Sequence, residues 1–454
     1  MSLQKREVAK DDRAQEGSIT LDRKTRKRSR VIALYGEVCR CHTQQNKEDA
    51  AARTERAGAF FSQFVYRQFF KCACYSPCVC YNIPKQVVDG CAPDGDGGKT
   101  RSRAVQRIVI ICTKELREVK RMFDMYLVTG ATGFLGRTIV EELVRQGSRV
   151  RALVLHGDPC AKLLPPEADT VEGDVSARDS LAAFFEGAGE STCVLHCAGI
   201  ISVASHPGQR IYQVNVEGTR NIVALCREHG VGRLVHVSSV HAIPEQPKGT
   251  VITEQCTFSP ELVRGDYAKT KATATALVLQ AAQEGLNASV VFPSGLIGPG
   301  DVLGGSFTSM VRAFMAGKLP LAVNGGYDFV DVRDVARGVL DCAARGVAGK
   351  GYILSGEYMS IPRILQCVGR AAGISGRPLC LPLWMARLAA PCYERYCLKR
   401  RLPLFFTPYS VEVLASNGCF SRAAAAEAFD YAPRPLEESL RDMAAWIRQT
   451  NATA

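Results

Sequence analysis

The residues best suited to chemistry lie in the middle of the 454-residue chain. Tyr267-Ala268-Lys269-Thr270-Lys271 sets a phenol and an ammonium four residues apart. On a helix, positions i and i+4 share one face, so Lys271 can lie beside Tyr267. A free tyrosine titrates near about 10, and acid–base work at neutral pH requires nearby positive charge that favours phenolate. Lys271 supplies such a charge. Upstream, Leu234-Val235-His236-Val237-Ser238-Ser239 reads as a strand running into a polar turn. Alone, this tyrosine could be an ordinary half-buried helix residue, and the serines could merely satisfy backbone at a strand end. Their weight comes from the elements that precede them.

Met125 to Thr129 form a short apolar run, followed directly by Gly130-Ala131-Thr132-Gly133-Phe134-Leu135-Gly136. Glycines at 130, 133 and 136 allow a tight turn, the approach of backbone N–H groups to a pyrophosphate, and close packing of the next helix. Leu135, Ile139 and Leu143, with Val140 and Val144, then repeat at helical spacing until Gly147. Arg149 to Leu155 supply a second strand and complete a strand–turn–helix–strand unit.

This glycine spacing, with Thr129 before it, resembles the extended short-chain dehydrogenase/reductase family, also described as the NAD-dependent epimerase/dehydratase family. Further matches come in family order. Gly173-Asp174-Val175 resembles the segment that contacts adenine, His196-Cys197-Ala198-Gly199 the loop beside the nicotinamide ribose, and Asn215-Val216-Glu217-Gly218-Thr219-Arg220-Asn221 the helix supporting the active site. The resemblance runs from about Met125 to the C-terminus. It implies an α/β fold, a Rossmann doubly wound parallel sheet with a smaller C-terminal substrate-binding region. The expected organisation is an extension without identified fold over 1–121, a cofactor-binding domain over 122–290, and a substrate-binding region with returning Rossmann elements over 291–454.

The same resemblance implies NAD(P)(H), held by Gly130, Thr132, Gly133, Phe134, Leu135, Gly136, Asp174, Val175, Ala198, Gly199, Asn215, Tyr267, Lys271, Pro293 and Ser294. It makes Ser239, Tyr267 and Lys271 catalytic. Tyr267 passes a proton, Ser239 positions the substrate oxygen, and Lys271 lowers the phenol pKa while binding the nicotinamide ribose. Asn215 either supports a proton path or holds the sheet together. No metal is expected.

NAD-preferring sites usually carry Asp or Glu at the end of the second strand, about 20 residues beyond the glycines. Ala152-Leu153-Val154-Leu155-His156 offers none before Asp158, which leans towards NADP, with Arg137 and His156 as candidate phosphate contacts.

The C-terminal motifs choose among branches. Phe292-Pro293-Ser294-Gly295-Leu296-Ile297-Gly298-Pro299-Gly300-Asp301 has glycine at 295, where sugar-nucleotide enzymes of the family commonly carry Asn. Phe329-Val330-Asp331-Val332-Arg333-Asp334-Val335-Ala336 resembles the dihydroflavonol reductase and 3β-hydroxysteroid dehydrogenase branch, with Asp331 and Asp334 capping and orienting a helix. Phe307, Met310, Phe314, Met315, Leu383, Trp384, Met385, Tyr393, Tyr396, Phe405 and Phe406 are the apolar candidates to enclose substrate. The expected activity is interconversion of a carbonyl and a secondary alcohol on a hydrophobic small molecule. The alternatives are a sugar-nucleotide epimerase or dehydratase and a non-catalytic cofactor-binding regulatory module. The latter class usually loses the tyrosine or lysine, and both are present.

Charge is unevenly spread. Residues 1–124 carry 25 basic and 15 acidic groups, leaving 32 and 30 for the remainder, so the overall +12 belongs mainly to the first quarter. That quarter reads as a disordered, solvated tail around Arg23-Lys24-Thr25-Arg26-Lys27-Arg28-Ser29-Arg30, so no nucleic-acid partner is expected. Its Cys72, Cys74, Cys78 and Cys80 depart from the usual spacing of zinc ligands. Residues 1–121 are expected to contribute nothing to the chemistry. The 19 cysteines imply no disulfide framework, and no apolar run reaches the roughly 18 residues of a membrane span, so a cytoplasmic location is expected. A homodimer stays open. The stretch from Pro378 to Lys399 could serve membrane contact or dimerisation, but Pro382 and Pro391 favour core or lid packing.

Overall fold

The computed structural model describes residues 123–204, 208–255, 257–319, 321–376, 378–400 and 407–452. The expectations for residues 1–121, and those for Phe405 and Phe406, lie outside the described residues.

Strands and helices alternate from the start: β1 (Met125–Thr129), α1 (Phe134–Arg145), β2 (Val150–Val154), β3 (Asp169–Glu172), β4 (Thr192–His196), α2 (Gly218–Glu228), β5 (Arg233–Val237), α3 (Asp266–Gln283) and β6 (Ala288–Pro293). Then follow β7 (Gly295–Ile297), α4 (Ser306–Met315), β8 (Leu321–Val323), β9 (Gly326–Asp331), α5 (Val332–Arg345), β10 (Gly351–Leu354), β11 (Glu357–Ser360), α6 (Ile361–Ala372), β12 (Leu379–Leu381), α7 (Leu383–Arg400), α8 (Pro408–Ala415), α9 (Ala423–Phe429) and α10 (Leu436–Ala452).

Among the described residues, seven parallel strands form the main sheet in the order β10-β6-β5-β4-β1-β2-β3. The expected doubly wound Rossmann sheet is therefore present. Strands such as β2 and β4 are buried along their whole length, which explains their near-continuous apolar runs. One apolar layer joins Leu135, Ile139 and Leu143 of α1 to Val335 and Val339 of α5. The opposite layer joins Ile222 and Leu225 of α2 to Ala268, Ala272 and Val278 of α3. Because β1 pairs with both β2 and β4, the chain reverses its direction of winding between β1 and β4, and the strand ends there form the crevice where such sheets bind ligands.

The C-terminal part adds two small sheets, β11-β9-β7 and β12-β8. Asp331 and Asp334 have the structural roles their motif suggested. Asp331 accepts the Arg333 N–H at 2.8 Å and caps α5, while Asp334 takes the Arg434 backbone N–H at 2.8 Å and its guanidinium at 2.9 Å. One expectation fails. Pro391 sits inside a continuous α7, and Trp384, Met385 and Tyr396 are exposed to solvent, so they do not fill a core. A proline within a helix removes one internal hydrogen bond but does not choose which face is covered.

Candidate active site

Gly130 ends β1 with a left-handed φ of 64°, and a Cβ there would lie 2.7 Å from the Ala198 nitrogen. A Cβ on Gly136 would lie 2.0 Å from the Gly130 carbonyl oxygen. These two positions force the β1–α1 turn against the loop after β4. Thr132 and Gly133 complete the turn, and Phe134 and Leu135 begin α1, whose N-terminus has no side-chain cap. Its first N–H groups and the positive end of its dipole are thus left for an anion. The cradle fits the pyrophosphate of a dinucleotide.

Thr129 ties this turn to the next strand. Its hydroxyl accepts the Ala198 N–H at 3.1 Å and lies 2.8 Å from His196 Nδ1, while His196 Nε2 lies 3.0 Å from Thr219 Oγ1. Further along, Asp174 and Val175 follow β3. The Asp174 carboxylate accepts from Ser176 and pairs with Arg210 at 2.5 Å; burial opposes its ionisation, but these partners prevail and lower its pKa. Val175 packs so closely on Gly218 that a Cβ would meet it at 2.7 Å.

Asn215 sits in a π-helical turn over Gln213–Glu217, just before α2. Its amide is fully engaged, with Oδ1 accepting the Ile200 N–H at 2.7 Å and Nδ2 donating to Ile200 O and to Thr270 Oγ1, both at 3.0 Å. Asn215 therefore clamps the loop of Ala198 and Gly199 onto the helix that carries Tyr267 and Lys271. Wide turns of this kind recur at functional sites, because the extra residue redirects a side chain.

Tyr267 lies in the first turn of α3 and Lys271 one turn later, both buried. Lys271 Nζ donates to the Val237 carbonyl at 2.9 Å and would lie 3.1 Å from a Cβ on Gly199. Burial pulls its pKa down to about 8. Ser239 ends the strand segment as the cap of a single 3₁₀ turn, accepting the His241 N–H at 3.3 Å, and its hydroxyl also interacts with the Tyr267 phenol. Burial raises the Tyr267 pKa to about 12, with Ser239 opposing the shift. In the cofactor-free chain the phenol is thus a stronger proton holder than free tyrosine. Pro293 ends β6 and the buried Ser294 follows it, and burial raises the nearby Asp328 to about 6, with Ser294 opposing the shift.

Arg137 and His156 have partners of their own. Arg137 donates to the Gly300 carbonyl and pairs with Glu141 at 3.7 Å. His156 stands exposed beyond β2 and meets Glu172 at 2.7 Å.

Three aromatic groups around Tyr267 were not singled out from sequence. His241 meets the Tyr267 ring edge-on at 5.8 Å, stacks on Tyr327 at 5.5 Å with an interplanar angle of 10°, and lies 3.4 Å from the Tyr409 hydroxyl. Burial lowers its pKa to about 4, so the imidazole is neutral. Its place two residues beyond Ser239 was a usable signal; Tyr327 and Tyr409 come from distant segments and gave none. The paired strands β4 and β5 set His196 beside His236, with ring centroids 5.2 Å apart and the rings tilted by 32°.

The model for the NAD dependent epimerase/dehydratase family matches residues 126–354. Sterol demethylase protein B of Methylococcus capsulatus is 31% identical over 327 residues, covering 71% of this chain and 98% of that protein. A putative dihydroflavonol 4-reductase of Synechocystis is 31% identical, covering 72% and 95% of the two chains. A 3beta-hydroxysteroid-dehydrogenase/decarboxylase of Arabidopsis thaliana is 30% identical, covering 69% and 77%. The crystal structure of gox2253 superposes with a TM-score of 0.63 at 30% identity, covering 72% of this chain and 98% of that one. The UDP-glucose 4-epimerase of Thermotoga maritima shares the fold, with a TM-score of 0.59 at 20% identity over 72% of this chain and 99% of its own. The reductase and dehydrogenase names fit an oxidoreductase. With its glycine cradle, its sheet order and these matches agreeing, the chain belongs to the NAD dependent epimerase/dehydratase family.

Proposed function

We propose that this chain is an NAD(P)-dependent oxidoreductase that interconverts a carbonyl and a secondary alcohol on a hydrophobic small molecule, with Tyr267 as acid/base. The observation that carries the reading is the convergence of Ser239, Tyr267 and Lys271 at the strand ends beside the glycine cradle. A bound NAD(P)(H) would rest on Gly130, Gly133, Gly136 and Lys271 and supply hydride transfer. Ser239 Oγ positions the substrate oxygen. Tyr267 Oη delivers a proton to that oxygen in reduction and takes it in oxidation. Lys271 keeps positive charge one helical turn from the phenol, and Asn215 keeps the loop between them in place. NADP is the proposed preference, because β2 ends without a carboxylate.

Support for an apolar substrate comes from position 295. A Cβ there would lie 2.7 Å from Phe329 Cδ1 and 3.1 Å from the Asp328 carbonyl oxygen, leaving no room for an asparagine side chain. Tyr327, Tyr409 and His241 give the wall near Tyr267 an aromatic rather than ionic character. Turnover measured across steroids, flavonoid-like ketones, aldehydes and UDP-sugars, each with both cofactors, tests the reading. Activity on a hydrophobic alcohol or ketone, with NADP(H) favoured, is expected; activity confined to UDP-sugars overturns it.

A further inference from the structure

We propose that the outward face of α7 docks on an anionic phospholipid surface. Ala386, Ala390 and Cys397 point inward, the two alanines packing with Val323 and Val411. At 100° per residue the opposite face carries Trp384, Leu388, Arg395 and Lys399, flanked by Tyr396 and Leu398. These apolar side chains stand well out: Trp384 is 63% exposed, Leu388 73%, Tyr396 56% and Leu398 59%. Just before the helix, Leu379 is 66% exposed and is the register partner of the exposed Leu321 on β8.

The charges on this helix choose the occupant. Arg387, Arg395, Lys399 and Arg400 are all exposed, whereas the helix's one acidic residue, Glu394, is buried. Among the described residues, Arg387 pairs with a carboxylate, Glu412 on α8 at 2.9 Å. An isologous contact with a second copy would bring Arg395, Lys399 and Arg400 towards their own counterparts with no outward acid on α7 to neutralise them. Lipid phosphate neutralises them, while Trp384, Leu388 and Tyr396 enter the boundary between headgroups and acyl chains. No helix among the described residues is long and apolar enough to cross a membrane, so the contact is one of lying on the surface.

The test uses the full chain with sedimenting vesicles of phosphatidylcholine, alone or with about a third phosphatidylglycerol. Anionic vesicles should bind at least tenfold more tightly. Trp384→Ser with Leu388→Ser should weaken that binding at least tenfold, and Arg395→Gln with Lys399→Gln should remove most of the preference for phosphatidylglycerol. All four side chains are exposed, so the melting curve checks that the fold is kept. The two tryptophans are Trp384 and Trp446, the latter under the Arg312 guanidinium at 4.9 Å. A vesicle-induced blue shift of emission should therefore vanish in Trp384→Phe. Undiminished binding by the Trp384→Ser, Leu388→Ser protein would overturn the proposal. A dimer that these substitutions dissociate, in a protein that ignores vesicles, would overturn it in favour of a second copy.

Discussion

Replacing Lys271 with methionine removes a buried ammonium while keeping most of the side-chain volume. In the unfolded chain this group titrates near 10.5, and in the fold near 8, the cause being burial. The depressed pKa means that folding penalises the protonated form. The penalty is fully present below pH 8 and is relieved as pH rises from 8 to 10.5. The difference is worth ~3 kcal/mol at 1.36 kcal/mol per unit. Losing the bond from Nζ to the Val237 carbonyl returns about 1 kcal/mol, so Lys271→Met should be more stable than the parent by about 2 kcal/mol at pH 7. Above pH 10.5 the sign should reverse, with the variant weaker by about 1 kcal/mol. Urea unfolding of both chains at pH 7 and in alkaline buffer measures this, and tyrosine titration cancels in the difference between them. Turnover should be lost at every pH. A variant less stable than the parent at pH 7 would refute the reasoning, because the ammonium would then not be held at a cost for the sake of the site.

Acid should weaken the fold through its buried imidazoles. Burial holds His196 near 3 and His241 near 4 and pushes His236 well below 6.5, so an unfolded chain takes up protons that the fold refuses. Stability is then fully present above about pH 6.5 and falls as pH drops below it. Three such groups, opposed below pH 6 by Asp328 with its raised pKa, should give a net loss of about 3 kcal/mol per pH unit between pH 6 and 5. His236→Leu should flatten that slope by roughly 1.4 kcal/mol per unit in urea titrations, and a level profile in the parent would contradict the assignment. Gly295→Asn should cost about 1–3 kcal/mol by driving a side chain into Phe329 and should confer no turnover of UDP-sugars. Parent-like stability in that variant would remove the steric argument against a sugar-nucleotide ligand.

Much of the fold and site was legible because its signals are local. Gly130, Gly133 and Gly136 lie within one turn, Tyr267 and Lys271 within one helical turn, and the apolar period of α1 is unbroken. The less legible features depend on where distant segments meet. Asn215 gains its role from Ile200 and Thr270, which no spacing connects to it, and the widened turn that aims it has no sequence mark. The wall of Tyr327 and Tyr409 against His241 joins residues from three separate stretches. Lys271 is expected to lower the Tyr267 pKa, whereas in the cofactor-free chain burial of the phenol raises it, with Ser239 opposing the shift. On α7, periodicity marked apolar residues without saying which of them a neighbour covers, and the exposed Trp384 and Tyr396 were read as packed.

The central claim is that Tyr267 transfers the proton. Its most direct test is Tyr267→Phe, compared with the parent for cofactor-coupled turnover of the best hydroxy or keto substrate and for cofactor binding by titration calorimetry. Removing one oxygen leaves the glycine cradle and the Lys271 ammonium unchanged, so cofactor affinity should stay within a few-fold while turnover falls at least about a hundredfold. Turnover near the parent level, with cofactor bound normally, would contradict the account.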